Sequence, residues 1–141
     1  MANDSSDFLR SMSIATSGLR AQAGRMRVIS ENIANADSTA AKAGGDPYRR
    51  KVPTFTSALD RTLDAKVVAL GRVLPDQSSF RVKYDPSNPA ADATGNVKYP
   101  NVNPLIEMTD MRDAQRSYEA NLNIIGATRR MIQRTLDILK T

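Results

Sequence analysis

Proline placement constrains this chain more than any other feature. All seven prolines (Pro47, Pro53, Pro75, Pro86, Pro89, Pro100 and Pro104) fall between residues 47 and 104 of a 141-residue sequence. Proline has no backbone N–H to donate and its ring clashes with the preceding helical turn, so it is kept out of helix interiors. Two long proline-free arms around a proline-rich middle therefore imply helix, insert, helix.

The arms have the periodicity of helices built to meet other helices. Alternating steps of three and four through the first arm pick out Phe8, Met12, Ala15, Leu19, Gln22, Met26, Ile29, Ile33 and Ala36, all apolar except Gln22. The same steps through the last arm give Met108, Met111, Gln115, Tyr118, Leu122, Ile125, Arg129, Ile132, Leu136 and Leu139, interrupted at Gln115 and Arg129. A 3.5-residue repeat keeps one stripe turned toward a partner helix in a supercoil. The expected assembly seam is thus Met12, Leu19, Met26, Ile29 and Ile33 with Met108, Met111, Tyr118, Leu122, Ile125, Ile132, Leu136 and Leu139. As single helices, residues 8–36 and 105–139 would run ~44 Å and ~52 Å, long for an isolated globule of this size.

A second apolar stripe lies two residues beyond the first, at Ile14, Ala21 and Val28 and again at Ile124, Met131 and Ile138. Pairing the two arms leaves it partly uncovered, and uncovered apolar stripes mark contact surfaces. Each arm is therefore expected to have more than one helical neighbour, most simply in other copies of the chain. The expected fold is mainly α: long N- and C-terminal helices pairing as a coiled coil, with a small irregular, β-containing middle. The segments are 1–36, 37–104 and 105–141.

Within the middle, Val67 to Leu70, Arg72 to Leu74 and Phe80 to Tyr84 have strand composition. Residues 54–66 read as a short helix. Asp85 to Pro89 and Asp92 to Asn96 are turn chemistry. Asn103 and Pro104 suit a helix cap and first helical position, with Glu107 and Asp110 at the positive end of the dipole.

Composition excludes several functions. The chain is 40% hydrophobic but only 5% aromatic and has no Trp, which argues against a large globular core. It has no Cys, hence no thiolate chemistry or disulfide framework, and no His, the commonest general base and metal ligand near neutrality. No stretch is long and apolar enough to span a membrane, and the amino-terminal residues do not form a cleavable secretory signal. The net charge of +5 is diffuse. Arg49-Arg50-Lys51 beside Tyr48 is the nearest thing to a phosphate-binding patch, and it reads as a solvated loop or interface edge, with no nucleic-acid partner implied. Asp110 and Asp113 suit capping rather than acid–base work, Asp85, Asn88 and Asp92 lack calcium-loop spacing, and Gly44-Gly45 has no phosphate-binding frame. No catalytic, cofactor-binding or metal-binding residue is expected.

The chain also resembles a known family. Ser17 to Gln22 followed by Ile29 to Thr39 is similar to the amino-terminal signature of bacterial flagellar rod and hook axial proteins. Its Asn-x-Ala-Asn element falls on Asn32, Ala34 and Asn35, and the Thr that follows is Thr39, one residue later than the commonest spacing. Gly44 to Lys51, Tyr84 to Pro89, and Gly95 to Asn103 look like the basal-body proximal-rod members specifically. Tyr118, Glu119 and Asn121 match the carboxy-terminal signature. The resemblance covers nearly the whole chain, with its motifs in the family's order.

It implies terminal helices paired as a coiled coil, and copies stacked helically into a tube that transmits torque and encloses an export channel. The implied partners are further copies, other rod proteins, the MS-ring and basal-body adaptor proteins, and the flagellar type III export apparatus. The implied location is the rod in the periplasmic space, reached without a cleaved signal peptide. Asn32 and Asn35 are expected to end the first helix, where Asn tolerates left-handed backbone and bonds nearby carbonyls and amides. A cytoplasmic coiled-coil adaptor is the alternative that shares the heptads but has no need of the Asn signature.

Overall fold

The computed structural model describes the backbone of residues 2–139 and the side chains of residues 6–138. In chain order the elements are α1 (Ala2–Ala34), β1 (Lys51–Asp60), β2 (Ala65–Pro75), β3 (Arg81–Tyr84), β4 (Asn96–Tyr99) and α2 (Pro104–Leu139). The expected long arm helices are present. The mainly α class is corrected, because four strands form two antiparallel two-stranded sheets and the fold is mixed.

The correction originates between residues 51 and 75. The segment 54–66 is not helical: Val52, Thr54, Phe55 and Thr56 lie in a ten-residue strand, where β-branched and aromatic side chains fit the pleat. A turn over 61–64 reverses the chain. Asp60 Oδ1 accepts the Thr62 N–H at 2.9 Å, and Asp64 has a left-handed φ of 46°, which Asp tolerates better than most residues. The two stretches read as separate strands, 67–70 and 72–74, are one strand running through Gly71. Strand β3 pairs with β4 (Arg81 with Tyr99, Val82 with Lys98, Lys83 with Val97, Tyr84 with Asn96). The loop between them is held at Asp92, whose Oδ1 accepts the Thr94 hydroxyl, the Thr94 N–H and the Asn96 N–H at 2.6, 2.8 and 3.0 Å. Those bonds keep its carboxyl below the usual range.

The chain forms two compact units, and each draws on all three sequence segments. Residues 2–26, 54–72 and 113–139 belong to the first. Its buried apolar residues are Ala15, Ala21, Ala65 and Ala114, joined by Thr128. Small side chains allow close approach. A Cβ on Gly18 would stand 2.8 Å from the Asn121 amide of α2, and one on Gly24 would stand 2.7 Å from Leu70 Cδ2 of β2. The Val68 N–H donates to Ser17 Oγ at 3.2 Å, and Arg10 Nε donates to the Leu63 carbonyl at 2.7 Å.

Residues 27–53 and 73–112 form the second unit. It buries Val28, Ile29, Ala36, Ala90, Val97 and Val102 together with two polar residues, Asn32 and Glu107. Asn103 opens α2 as expected, its Oδ1 accepting the Leu105 N–H at 3.1 Å with Pro104 in the first position.

Candidate functional site

The second unit is organised around Asn32, whose carboxamide is fully buried with every hydrogen-bonding position used. Oδ1 accepts the Lys51 N–H at 2.9 Å and the Tyr48 hydroxyl at 2.8 Å. Nδ2 donates to the Lys51 carbonyl at 2.8 Å and to Glu107 Oε2 at 3.1 Å. The side chain thus meets both backbone groups of Lys51 much as a neighbouring strand would. It joins the end of α1 to the start of β1 and the first turn of α2.

Glu107 is almost completely buried, and a buried carboxylate needs a counter-charge. Arg50 supplies it, Nε to Oε1 at 2.6 Å. The same guanidinium reaches Asp76 at 3.4 Å and Asp110 at 3.8 Å. Burial opposes the Arg50 charge, but Glu107 and Asp76 outweigh it and hold the pKa above the ordinary value. Asp76 is held below the usual carboxylate range by the Ser78 N–H and hydroxyl first and by Arg50 after them. Asn101 closes this side, accepting the Arg50 N–H at 2.8 Å and donating to Ser78 Oγ at 2.8 Å. Burial, reinforced by the charges of Glu31 and Glu107, pushes the Tyr48 phenol up to about 12.

The basic run is therefore engaged internally. Arg50 serves Glu107, Lys51 pairs with Glu31, and Arg49 donates to the carbonyls of Asp76 and Ser78 while stacking 4.2 Å from the Phe80 ring. Sequence reading missed this hub. Its signals were the adjacency of Tyr48 to the basic run and the acidic Glu107 beside the apolar stripe, and neither points to a partner by itself.

The other motif residues are dispersed. Ala34 ends α1 and is exposed, as is Thr39. Asn35 donates to the Glu31 carbonyl at 2.8 Å. Neither Asn32 nor Asn35 is left-handed; among the described residues other than glycine only Asp64 has a positive φ. Asn32 is a buried hub rather than a helix terminus. Tyr118 is half-buried and Glu119 exposed, while Asn121 donates to the Ser117 carbonyl at 3.0 Å and faces Gly18.

Among the seam residues of α1, Ile29 is buried and Met12, Leu19, Met26 and Ile33 are half-buried. In α2 one row of the seam (Met111, Tyr118, Ile125 and Ile132) is half-buried. The buried row beside it is Glu107, Ala114 and Thr128, seven or fourteen residues apart and one position before Met108, Gln115 and Arg129. Met108, Leu122 and Leu136 remain 51%, 46% and 48% exposed. The side chain of Leu139 lies outside the described residues. On the opposite flank of the buried row, Ile124, Met131 and Ile138 are 46%, 56% and 75% exposed. In α1 the second stripe is mixed, with Ile14 exposed and Ala21 and Val28 buried. Helix α2 thus has a packed face bordered by two open apolar rows.

Among the described residues no His, Cys, Asp or Glu cluster has metal-binding form, and no helix is long and apolar enough to cross a membrane.

Residues 12–42 match the family described as flagella basal body rod protein, and residues 93–138 match the family described as flagellar basal body rod FlgEFG protein C-terminal. The flagellar basal-body rod protein FlgC of Agrobacterium fabrum is 54% identical over 127 residues, covering 90% of this chain and 91% of the relative. The proteins of that name from Bacillus subtilis and Aquifex aeolicus are 39% and 37% identical. They cover 92% and 95% of this chain and 97% and 98% of their own lengths.

Proposed function

The chain belongs to the flagellar basal-body rod protein family, and from that membership we propose a structural subunit of the proximal rod, assembling helically with itself and with other rod proteins. It is a mechanical part, not an enzyme, and the cytoplasmic-adaptor alternative gives way to the rod reading. One observation supports the assembly role above the rest: the two open apolar rows that border the packed face of α2. Large apolar side chains left this exposed along a helix are stabilised by burial against other helices, at ~25 cal/mol per Å² removed from water. Rows on both flanks give each helix room for two further neighbours. That arrangement suits a tube wall that transmits torque and surrounds an export channel.

The assembly seam is the set Met12, Leu19, Met26, Ile29, Ile33, Met108, Met111, Tyr118, Leu122, Ile125, Ile132, Leu136 and Leu139. Its half-buried members fix the fold of each chain, and its exposed members meet other chains. Further partners are the MS-ring, the basal-body adaptor proteins and the type III export apparatus. The location is the rod in the periplasmic space, reached without a cleaved signal.

The test is the double substitution Ile124→Glu with Met131→Glu. Both sites are exposed, so the free chain should keep its helix content while losing incorporation into basal bodies and with it motility. Normal incorporation of a normally folded variant would contradict the assembly role of this row.

A further inference from the structure

The second unit has an open groove of 730 Å³ between the end of α1 and the base of the β1–β2 hairpin. Val28, Val73 and Pro75 supply its apolar surface, and Arg27 and Arg49 its charge. Glu31 and Lys51 also line it, but they pair with each other and cancel. Arg27 is exposed and has no carboxylate within ion-pair reach among the described residues. Arg49 is half-buried: its Nη1 donates to two carbonyls, the Phe80 ring fixes its guanidinium plane, and its charge helps hold the Asp46 carboxyl below the usual range, after Lys98. Arg27, with no such carboxylate, is the guanidinium left to receive one, since its fork matches carboxylate geometry.

We infer that this groove receives the α2 face carrying Asp113, Ala120 and Ile124 from a second copy of the chain. The inference rests on the rod-subunit reading for the particle in which the contact forms. All three residues are exposed, and Asp113 has no ion-pair partner among the described residues. Seven and four residues separate them, so they lie along one side of the helix. Carboxylate, small residue and apolar residue complement the two arginines and the Val73–Pro75 wall. Groove and helix face are different surfaces, so the contact is heterologous, and contacts of that kind propagate into open helical assemblies rather than closing as a dimer.

Charge reversal tests the pairing. Arg27→Glu and Asp113→Arg should each lower incorporation into basal bodies by about tenfold, because like charges then face each other across the interface. The two together in one chain should restore it. Unchanged helix content in the purified single variants excludes misfolding as the cause. The absence of cysteine permits a second reading. Chains carrying Val73→Cys and Ala120→Cys, co-expressed, should give an oxidant-dependent mixed disulfide dimer in purified basal bodies. Present in basal bodies but without that dimer, and with no rescue by the double reversal, the chain remains a rod subunit and the groove contact is wrong. Absence of the unmodified chain from basal bodies would overturn the rod reading itself.

Discussion

At the scale of single residues, the informative side chain is Asn32. An amide was needed there because it must donate twice, to the Lys51 carbonyl and Glu107, and accept twice, from the Lys51 N–H and the Tyr48 hydroxyl. Asn32→Asp keeps the shape but turns an oxygen toward the Lys51 carbonyl and Glu107 Oε2, placing acceptors against acceptors. Asn32→Ala leaves the groups around it without partners. Each substitution should lower unfolding stability by about 3 kcal/mol, given ~1–3 kcal/mol for each buried polar group left unpaired. Urea unfolding measures this, and a loss under ~0.5 kcal/mol would mean that water replaces the amide without penalty. Tyr48 offers a pH test. Its folded pKa, near 12, lies above the ordinary value of 10.0, so the phenol holds its proton longer in the native state than in the unfolded one. Its contribution is complete below pH 10 and is lost as the pH rises through the folded value. Tyr48→Phe should remove the tyrosinate absorbance step near pH 12 and weaken the alkaline fall in stability. A phenol titrating at its ordinary value would contradict the half-buried placement beside Glu31 and Glu107.

At the scale of elements, two helical glycines make opposite predictions. Gly18 lies against Asn121, so Gly18→Val should cost about 2 kcal/mol through overpacking, and Asn121→Ala in the same chain should recover part of it. A Cβ on Gly126 meets only Arg130 Nη1, at 3.5 Å, so Gly126→Ala should stabilise the free chain by ~1 kcal/mol through helix propensity alone. Thermal unfolding of the purified variants distinguishes the two signs; equal effects would mean that Gly18 is not a packing site.

The same elements explain what the sequence could disclose. The arm helices were legible because prolines and a 3.5-residue repeat mark them directly. The buried row of α2 was not, since apolarity selected Met108 and Leu122, while close approach in the folded chain selects Ala114 and Thr128 and an ion pair selects Glu107. The β1–β2 hairpin was misread because residues 54–66 contain no glycine or proline beyond Pro53 to mark the reversal. The turn depends on an Asp side-chain bond and one left-handed Asp. The hub around Asn32 joins residues 19 and 75 positions away, a separation that no local pattern reports.

At the scale of the whole molecule, two compact units draw on every part of one chain in different ways. The first buries mainly alanine and leaves Leu122, Ile124, Met131, Leu136 and Ile138 of α2 open. The second encloses valines, an isoleucine and a satisfied polar hub. A subunit of this kind has a satisfied polar hub and an open apolar surface, which suits a part added to a growing structure. The most direct measurement is quantitative mass spectrometry of detergent-purified basal bodies from the source organism and from a strain lacking this chain. The account predicts a few copies of the chain per particle, and particles without a rod when it is deleted. Intact rods in the deletion strain, with the chain absent from clean wild-type particles, would contradict it.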